Sequence, residues 1–225
     1  KQVRRRAKYL LIDLANNYTI ICHLGMSGTF ILYNNLYTKA STHDHVIFTL
    51  TKAGEKSHSL VFNDPRRFGM MDITPTDKLS EHKSISILGP EPLSDQFDGA
   101  HLFKVTRKLK SPIKQVIMDG SKVVGVGNIY ACESLFASNI SPIKPAGDLS
   151  LEECNKLAKS IKEVLKKSIE AGGSSLKDYR NLEGKMGYFQ QQLLVYGREG
   201  ESCCQCGGVV SRIVQGQRST FICQE

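Results

Sequence analysis

Leu88-Gly89-Pro90-Glu91-Pro92 divides the chain: two prolines within three residues remove main-chain donors, and the hydrophobic period changes across them. Upstream, apolar and polar residues alternate. Tyr9 to Leu14 and Tyr18 to Leu24 flank Asn16-Asn17, which predicts a type I′ hairpin, and His45 to Thr51 and Ser59 to Asn63 flank a second turn at Lys52 to Lys56. Residues 1 to about 75 are therefore expected to form an antiparallel sandwich or barrel.

Downstream of the break the period becomes 3.6. Phe97 to Leu109 carries a basic face of Lys104, Arg107, Lys108 and Lys110, while Ile113 to Met118 and Asn128 to Ser138 read as short helices. Ser150-Leu-Glu-Glu153 is a capping box opening a longer helix. Its stripe of Cys154, Leu157, Ile161, Val164, Leu165 and Ile169 is expected to be core, and Gly172-Gly173 should end it. From Ser174 to Gln192 no period survives, and a long loop is expected.

The chain has 225 residues, 40% hydrophobic and 23% charged, enough to build a core and unlike a disordered segment. No apolar run approaches the roughly 18 residues of a membrane span, and no leader precedes a small-residue cleavage site, so a soluble, non-exported protein without membrane partners is expected. Thirty Lys and Arg against 22 Asp and Glu leave a net charge of +8, which favours a polyanion without naming one. The sequence begins at Lys1 inside a basic, strand-like segment and reads as a piece of something longer.

Seven cysteines, an odd number scattered among helix-like and strand-like stretches, fit a reducing compartment. Cys22, Cys132 and Cys154 sit in apolar patterns as small buried hydrophobes. Cys203-x-x-Cys206 is different, because Val209 to Val214 and Ser219 to Ile222 read as two strands around Gln215-Gly216-Gln217 and bring Cys223 back towards it. A zinc ribbon needs Cys-x-x-Cys twice, and Cys223-Gln224-Glu225 reads as the start of a second pair. Three unrelated thiols are the alternative, and Cys204 is a bystander.

Four further places offer chemistry. Arg4-Arg5-Arg6-Ala-Lys8 enters a strand, with Lys8 where the alternation turns inward, either a specific anion contact or part of a solvated face. His23-Leu-Gly-Met26-Ser-Gly28 sets a Met between two glycines at a hairpin end, a wedge if not core filler. Asp64-Pro-Arg66-Arg67-Phe68-Gly69 displays guanidiniums beside a ring, as a nucleic-acid surface needs, unless Phe68 folds inward in a structural turn. Val123-Val-Gly125-Val-Gly127-Asn128-Ile-Tyr130 puts glycines at a helix N-terminus, where main-chain N–H groups and the helix dipole favour an anion. It is no dinucleotide fingerprint, so a phosphodiester fits better. Paired carboxylates at helical spacing, a nucleophile elbow, a Walker loop and H-E-x-x-H are all absent. His43-Asp-His45 would share one strand face without a third ligand, and so reads as surface or structural.

Arg6-Ala-Lys-Tyr-Leu-Leu11, His23 to Gly28, Asp64 to Gly69, Leu88 to Pro92, Val124-Gly-Val-Gly-Asn-Ile-Tyr130, Val195-Tyr-Gly-Arg198 and Gln217-Arg-Ser-Thr-Phe221 occur in one order and at compatible spacings. Together they resemble the formamidopyrimidine-DNA glycosylase family across nearly the whole chain. The resemblance implies an α+β multi-domain protein with three parts. These are an N-terminal antiparallel β-sandwich over 1–92 whose first part is missing, a helix-two-turn-helix domain over 93–192 with a lesion loop at about 174–190, and a truncated zinc finger over 193–225.

Function follows as a further implication: base-excision removal of oxidised purines such as 8-oxoguanine and formamidopyrimidines from damaged double-stranded DNA. Cleavage of the abasic strand by β,δ-elimination would follow, by a monomer in the bacterial cytoplasm, at the nucleoid. Lys8, His23, Asn128 and Arg218 would grip phosphates, and Met26, Arg66 and Phe68 would fill the gap left by the everted nucleotide, Arg66 facing the orphaned cytosine. His43, Lys114 and Gly127 complete the expected DNA-contacting set, and Cys203, Cys206 and Cys223 would hold Zn. Of the catalytic group only Lys8 is present. The family's nucleophile is an N-terminal proline amine followed by a glutamate, both upstream of Lys1, so the fragment is expected to be inactive. Two alternatives are an endonuclease VIII-like enzyme for oxidised pyrimidines, against which Arg66 and Phe68 argue, and a non-catalytic damaged-DNA binder, which the upstream residues would reveal.

Overall fold

The computed structural model describes residues 1–173 and 193–223, and the chain forms two compact units, Lys1–Ser86 and Ile87–Glu225. The proline-rich break heads the second unit. The loop expected at 174–190 lies outside the described residues.

Seven strands build the first unit: β1 (Gln2–Arg6), β2 (Tyr9–Asp13), β3 (Tyr18–His23), β4 (Thr29–Tyr33), β5 (Asp44–Leu50), β6 (His58–Asn63) and β7 (Met70–Pro75). They form two antiparallel sheets, ordered β1-β2-β3-β7 and β4-β6-β5, the layers of the expected sandwich. Alternation sends Leu11 and its register partner Ile21 inward, against Leu79, Tyr9 and Ile85. Cys22 is fully buried, as its apolar setting predicts, and burial pushes its thiol up to about 11.

Two local expectations for this unit need correction. The Asn16-Asn17 turn is not type I′, which needs left-handed φ at both central residues: only Asn17 is left-handed (φ 63°), and Leu14 N–H donates to Tyr18 O at 2.7 Å. That is the pattern of a longer loop closed by one left-handed residue. Lys8 does not follow a strand alternation inward. Arg6 pairs with Tyr9, so Ala7-Lys8 is a two-residue connection, and there Ala7 (φ 53°) is buried and Lys8 exposed.

The second unit holds α1 (Gly99–Thr106), α2 (Ile113–Ile117), α3 (Asn128–Ala137), α4 (Leu151–Glu170) and the hairpin β8 (Val210–Gln215) and β9 (Arg218–Cys223). Phe97, Leu102, Ile113, Ile117, Leu135, Leu157 and Ile161 form its core. The capping box of α4 is complete: Glu153 N–H donates to Ser150 Oγ at 3.1 Å and Ser150 N–H to Glu153 Oε2 at 2.8 Å, a cap worth about 1 kcal/mol. The core stripe ends differently from expectation. Ile169 is 65% exposed, while Ser168 is buried with its Oγ 2.7 Å from the Tyr130 hydroxyl. By the fourth turn the line through Cys154, Leu157, Ile161 and Leu165 continues at Ser168, and Ile169 lies about 100° further round. The type I′ geometry occurs instead at Gly216-Gln217 (φ 54° and 61°), which puts Arg218 next to the tip of the β8–β9 hairpin. Among the described residues no helix is long and apolar enough to cross a membrane.

Candidate nucleic-acid interface

In the first unit, two motifs that lie far apart in sequence are one structure. The connection carrying Met26 runs from β3 in one sheet to β4 in the other, so it is a crossover and not the expected hairpin end. Asp64, 1% exposed, begins the second motif. Ser27 Oγ donates to Asp64 Oδ1 at 2.6 Å and accepts from Arg66 N–H at 3.2 Å, while Gly69 N–H donates to Asp64 Oδ2 at 2.7 Å. Gly25 (φ 65°) lies so close that a Cβ there would stand 2.5 Å from the Phe68 carbonyl carbon, which leaves the position to glycine. Burial opposes ionisation of Asp64, but the Ser27 hydroxyl, the Gly69 and Arg66 N–H groups and the His45 charge outweigh it and hold the carboxyl below its ordinary value.

This brace presents what a solvated loop would hide. Met26 is 67% exposed and Phe68 61%, with the Arg66 guanidinium carbon 5.4 Å from the Phe68 ring centroid. Phe68 therefore does not fold inward. Arg67 takes a left-handed φ of 56° between them, a local strain that the Asp64 bonds sustain.

His23, at the end of β3, accepts Gly25 N–H on Nδ1 at 3.0 Å and packs 5.0 Å from the Tyr9 ring. Its neutral form consequently carries the proton on Nε2, a donor suited to an anion. Burial first, then the Lys8 charge, lowers the His23 pKa, so Lys8 and His23 lie within electrostatic reach. His43 is exposed and precedes β5, and its carbonyl accepts Asp64 N–H at 2.9 Å. His45 is structural, its Nε2 2.9 Å from Asp64 O, and a register shift between Asp44 and Val46 breaks the alternation that would align it with His43.

In the second unit the N-terminus of α3 faces β9. Gly127 precedes the helix with φ −88°, and a Cβ there would meet nothing within 4 Å. Neither backbone strain nor packing demands glycine, and the space beside the first main-chain N–H groups of the helix suits close approach of an anion. Asn128 spends both amide hydrogens inside the protein, on Ser219 O at 2.9 Å and on the Tyr196 hydroxyl at 3.3 Å, leaving its Oδ1 buried without a partner. Lys114, 1% exposed, donates to Thr220 Oγ1 at 2.6 Å and Ser219 O at 3.1 Å, and burial lowers its pKa. These two residues from α2 and α3 thus hold the strand that begins with the exposed Arg218.

At the base of the same hairpin, the sulfurs of Cys203, Cys206 and Cys223 lie within 4.8 Å of one another, Cys206 and Cys223 at 3.3 Å. Tetrahedral zinc bound at about 2.3 Å requires sulfurs roughly 3.8 Å apart, so small adjustments suffice. Gln205 N–H reaches Cys203 Sγ at 3.4 Å and Gly208 N–H reaches Cys206 Sγ at 3.4 Å. Main-chain N–H groups of Cys206 and Gln205 bring the Cys203 thiol down to about 7, while, despite the Gly208 N–H, the Cys223 and Cys203 sulfurs hold the Cys206 thiol up at about 11, so Cys203 is the first of the pair to become a thiolate. Cys204 is exposed and stands outside this cluster, as expected.

Ser27, Asp64, Glu133 and Tyr196 escaped sequence reasoning as individual residues. Ser27 and Asp64 were inside the recognised motifs, but nothing local says that they meet. The signal for Glu133 was a carboxylate in the apolar run Ala131-Cys132-Glu133-Ser134-Leu135.

The family model described as the formamidopyrimidine-DNA glycosylase N-terminal domain matches residues 1–71, and that of the H2TH domain of the same enzyme matches 88–180. A formamidopyrimidine-DNA glycosylase of Rickettsia massiliae is 50% identical over 99% of this chain and 77% of its own length. The crystal structure of MutM (Fpg) from Thermus thermophilus superposes with a TM-score of 0.84 at 38% identity, over 99% of this chain and 80% of that one. Lactococcus lactis Fpg in complex with Fapy-dG-containing DNA gives 0.83 at 32%, over 98% and 79%. Sandwich, helical domain and cysteine cluster agree with these likenesses, and the chain belongs to the formamidopyrimidine-DNA glycosylase family.

Proposed function

We propose that this chain grips damaged double-stranded DNA for the excision of oxidised purines in base-excision repair. The observation that carries the reading is the exposed pair Met26 and Phe68 on loops locked by Asp64. Apolar side chains held rigidly in water gain by entering a base stack, and a wedge that replaces an everted nucleotide offsets the unstacking cost of a few kcal/mol. Arg66, stacked beside Phe68, suits the acceptors of an orphaned cytosine.

Around the lesion, Lys8, the His23 Nε2–H and Arg218 supply donors for phosphates, and the α3 N-terminus at Gly127-Asn128 supplies main-chain ones. The Asn128 side chain works indirectly: its N–H bond leaves the Tyr196 hydroxyl proton free to point at an acceptor. His43 adds an exposed imidazole beside the Asp64 turn, and we read Lys114 as a brace for the Arg218 strand. Zinc suits Cys203, Cys206 and Cys223, with a fourth ligand from outside the described residues. Bound there it would tie the base of the hairpin and take no part in the chemistry.

The proline amine that the family uses as nucleophile is not among residues 1–225. Residues 1–225 alone are expected to hold damaged duplex without excising the base or cleaving the strand as a lyase, in the cytoplasm of a bacterium and as a monomer. Incubation with a duplex carrying 8-oxoguanine opposite cytosine tests this. Retention of the duplex without borohydride-trapped adduct or strand cleavage is expected, and failure to bind refutes the reading.

A further inference from the structure

Glu133 lies on α3, 3% exposed, and a charge that far from water must be paired or hydrogen-bonded. Its partners are three consecutive main-chain N–H groups: Leu194 N–H donates to Oε2 at 2.9 Å, and Val195 and Tyr196 N–H donate to Oε1 at 3.0 and 2.8 Å. Leu194 to Tyr196 belong to neither helix nor strand, so no ladder holds them, and the carboxylate takes the place of one.

Tyr196 is what this clamp delivers. Its main chain is fixed by Glu133, its ring lies 4.8 Å from the Phe221 ring in an edge contact, and its hydroxyl meets Asn128 Nδ2 at 3.3 Å. Asn128 and Glu133 are five positions apart on one helix, about 7.5 Å along its axis. From two positions about 140° apart around its axis, α3 thus holds the tyrosine at both its main chain and its hydroxyl.

We propose that Glu133 is a positioning residue for DNA binding: it fixes Leu194–Tyr196 so that the Tyr196 hydroxyl and the Asn128 amide stand together at the N-terminus of α3. This rests on the reading of that N-terminus as a phosphate site. Glutamine at 133 keeps the shape but offers a single acceptor oxygen and turns an NH2 group towards a main-chain N–H.

The test is a double-mutant cycle with Glu133→Gln and Tyr196→Phe, reading affinity of the 225-residue chain for a duplex containing a tetrahydrofuran abasic-site analogue. Each single change is expected to weaken binding about tenfold, and Tyr196→Phe is expected to cost less than twofold once Glu133→Gln is present. Amide exchange at Leu194–Tyr196 should quicken in Glu133→Gln while exchange in α4 stays protected. If Glu133→Gln does not fold, Glu133→Asp, which keeps the charge but withdraws its oxygens, takes its place in the cycle with the same expectation. Full additivity, with Tyr196→Phe costing as much in either background, overturns the proposal, as does wild-type affinity in the Glu133 variant. Absence of binding by the unmodified chain overturns instead the reading on which the proposal rests, and the proposal with it.

Discussion

Ser27 Oγ donates to Asp64 Oδ1 at 2.6 Å across 37 positions of sequence, and this bond makes one platform of the loops that carry Met26 and Phe68. Removing the hydroxyl leaves a buried carboxylate one donor short, at a cost of about 1.5–3 kcal/mol. Ser27→Ala should therefore lower unfolding stability by that order in a denaturant titration and reduce the preference for damaged over intact duplex. Stability lost without any change in preference would separate the brace from the wedge.

Gly25→Ala should be worse than its size suggests. The new Cβ meets Phe68 main chain at 2.5 Å, and the left-handed φ of 65° adds about 1–2 kcal/mol for any residue with a Cβ. A clear drop in melting temperature with loss of lesion preference is expected, and a neutral result would mean that the two loops part readily.

For His23, burial and the nearby Lys8 charge favour the neutral ring, so its folded pKa lies below the unfolded value near 6.5. The stability contributed by the neutral ring is present above that value and is lost as pH falls through it towards the folded pKa. A bound phosphate would draw the pKa back up, so DNA binding should tighten as pH falls from 7.5 to 6. Imidazole shifts followed by NMR check both signs, and a free-protein midpoint above 6.5 contradicts them.

Arg218 and the cysteine cluster sit at opposite ends of one hairpin. Arg218→Ala should weaken binding across DNA sequences and reduce the slope of log affinity against log salt by about one. In the zinc-loaded chain, chelation should loosen β8–β9 and lower the slope by a similar amount while α1 to α4 stay helical by circular dichroism. An unchanged slope in both experiments would leave Arg218 outside the interface.

Much of the fold was legible because its determinants are local. The Ser150–Glu153 box, the apolar line along α4 and the change of period at Leu88–Pro92 each depend on neighbours within one or two turns. The Cys203-x-x-Cys206 spacing and the return strand to Cys223 likewise pointed to a three-sulfur cluster that the structure does assemble. What stayed hidden was set by distant partners. Ala7 and not Lys8 is buried because the β1–β2 register fixes the turn, and the hydroxyl partner that lets Ser168 be buried, Tyr130, comes from α3. Asn128 was legible as an anion-site residue, but the capture of its amide by Ser219 and Tyr196 depends on residues 91 and 68 positions away.

The wedge is the centre of the account, and one comparison tests it directly: affinity of the chain for a duplex with an abasic-site analogue against the same duplex intact, for the unmodified protein and for Met26→Ala with Phe68→Ala. The unmodified chain should prefer the damaged duplex by at least about tenfold, and the double variant should lose that preference while binding intact duplex as before. Equal affinity of the unmodified chain for both duplexes, or a double variant that keeps the preference, would contradict it.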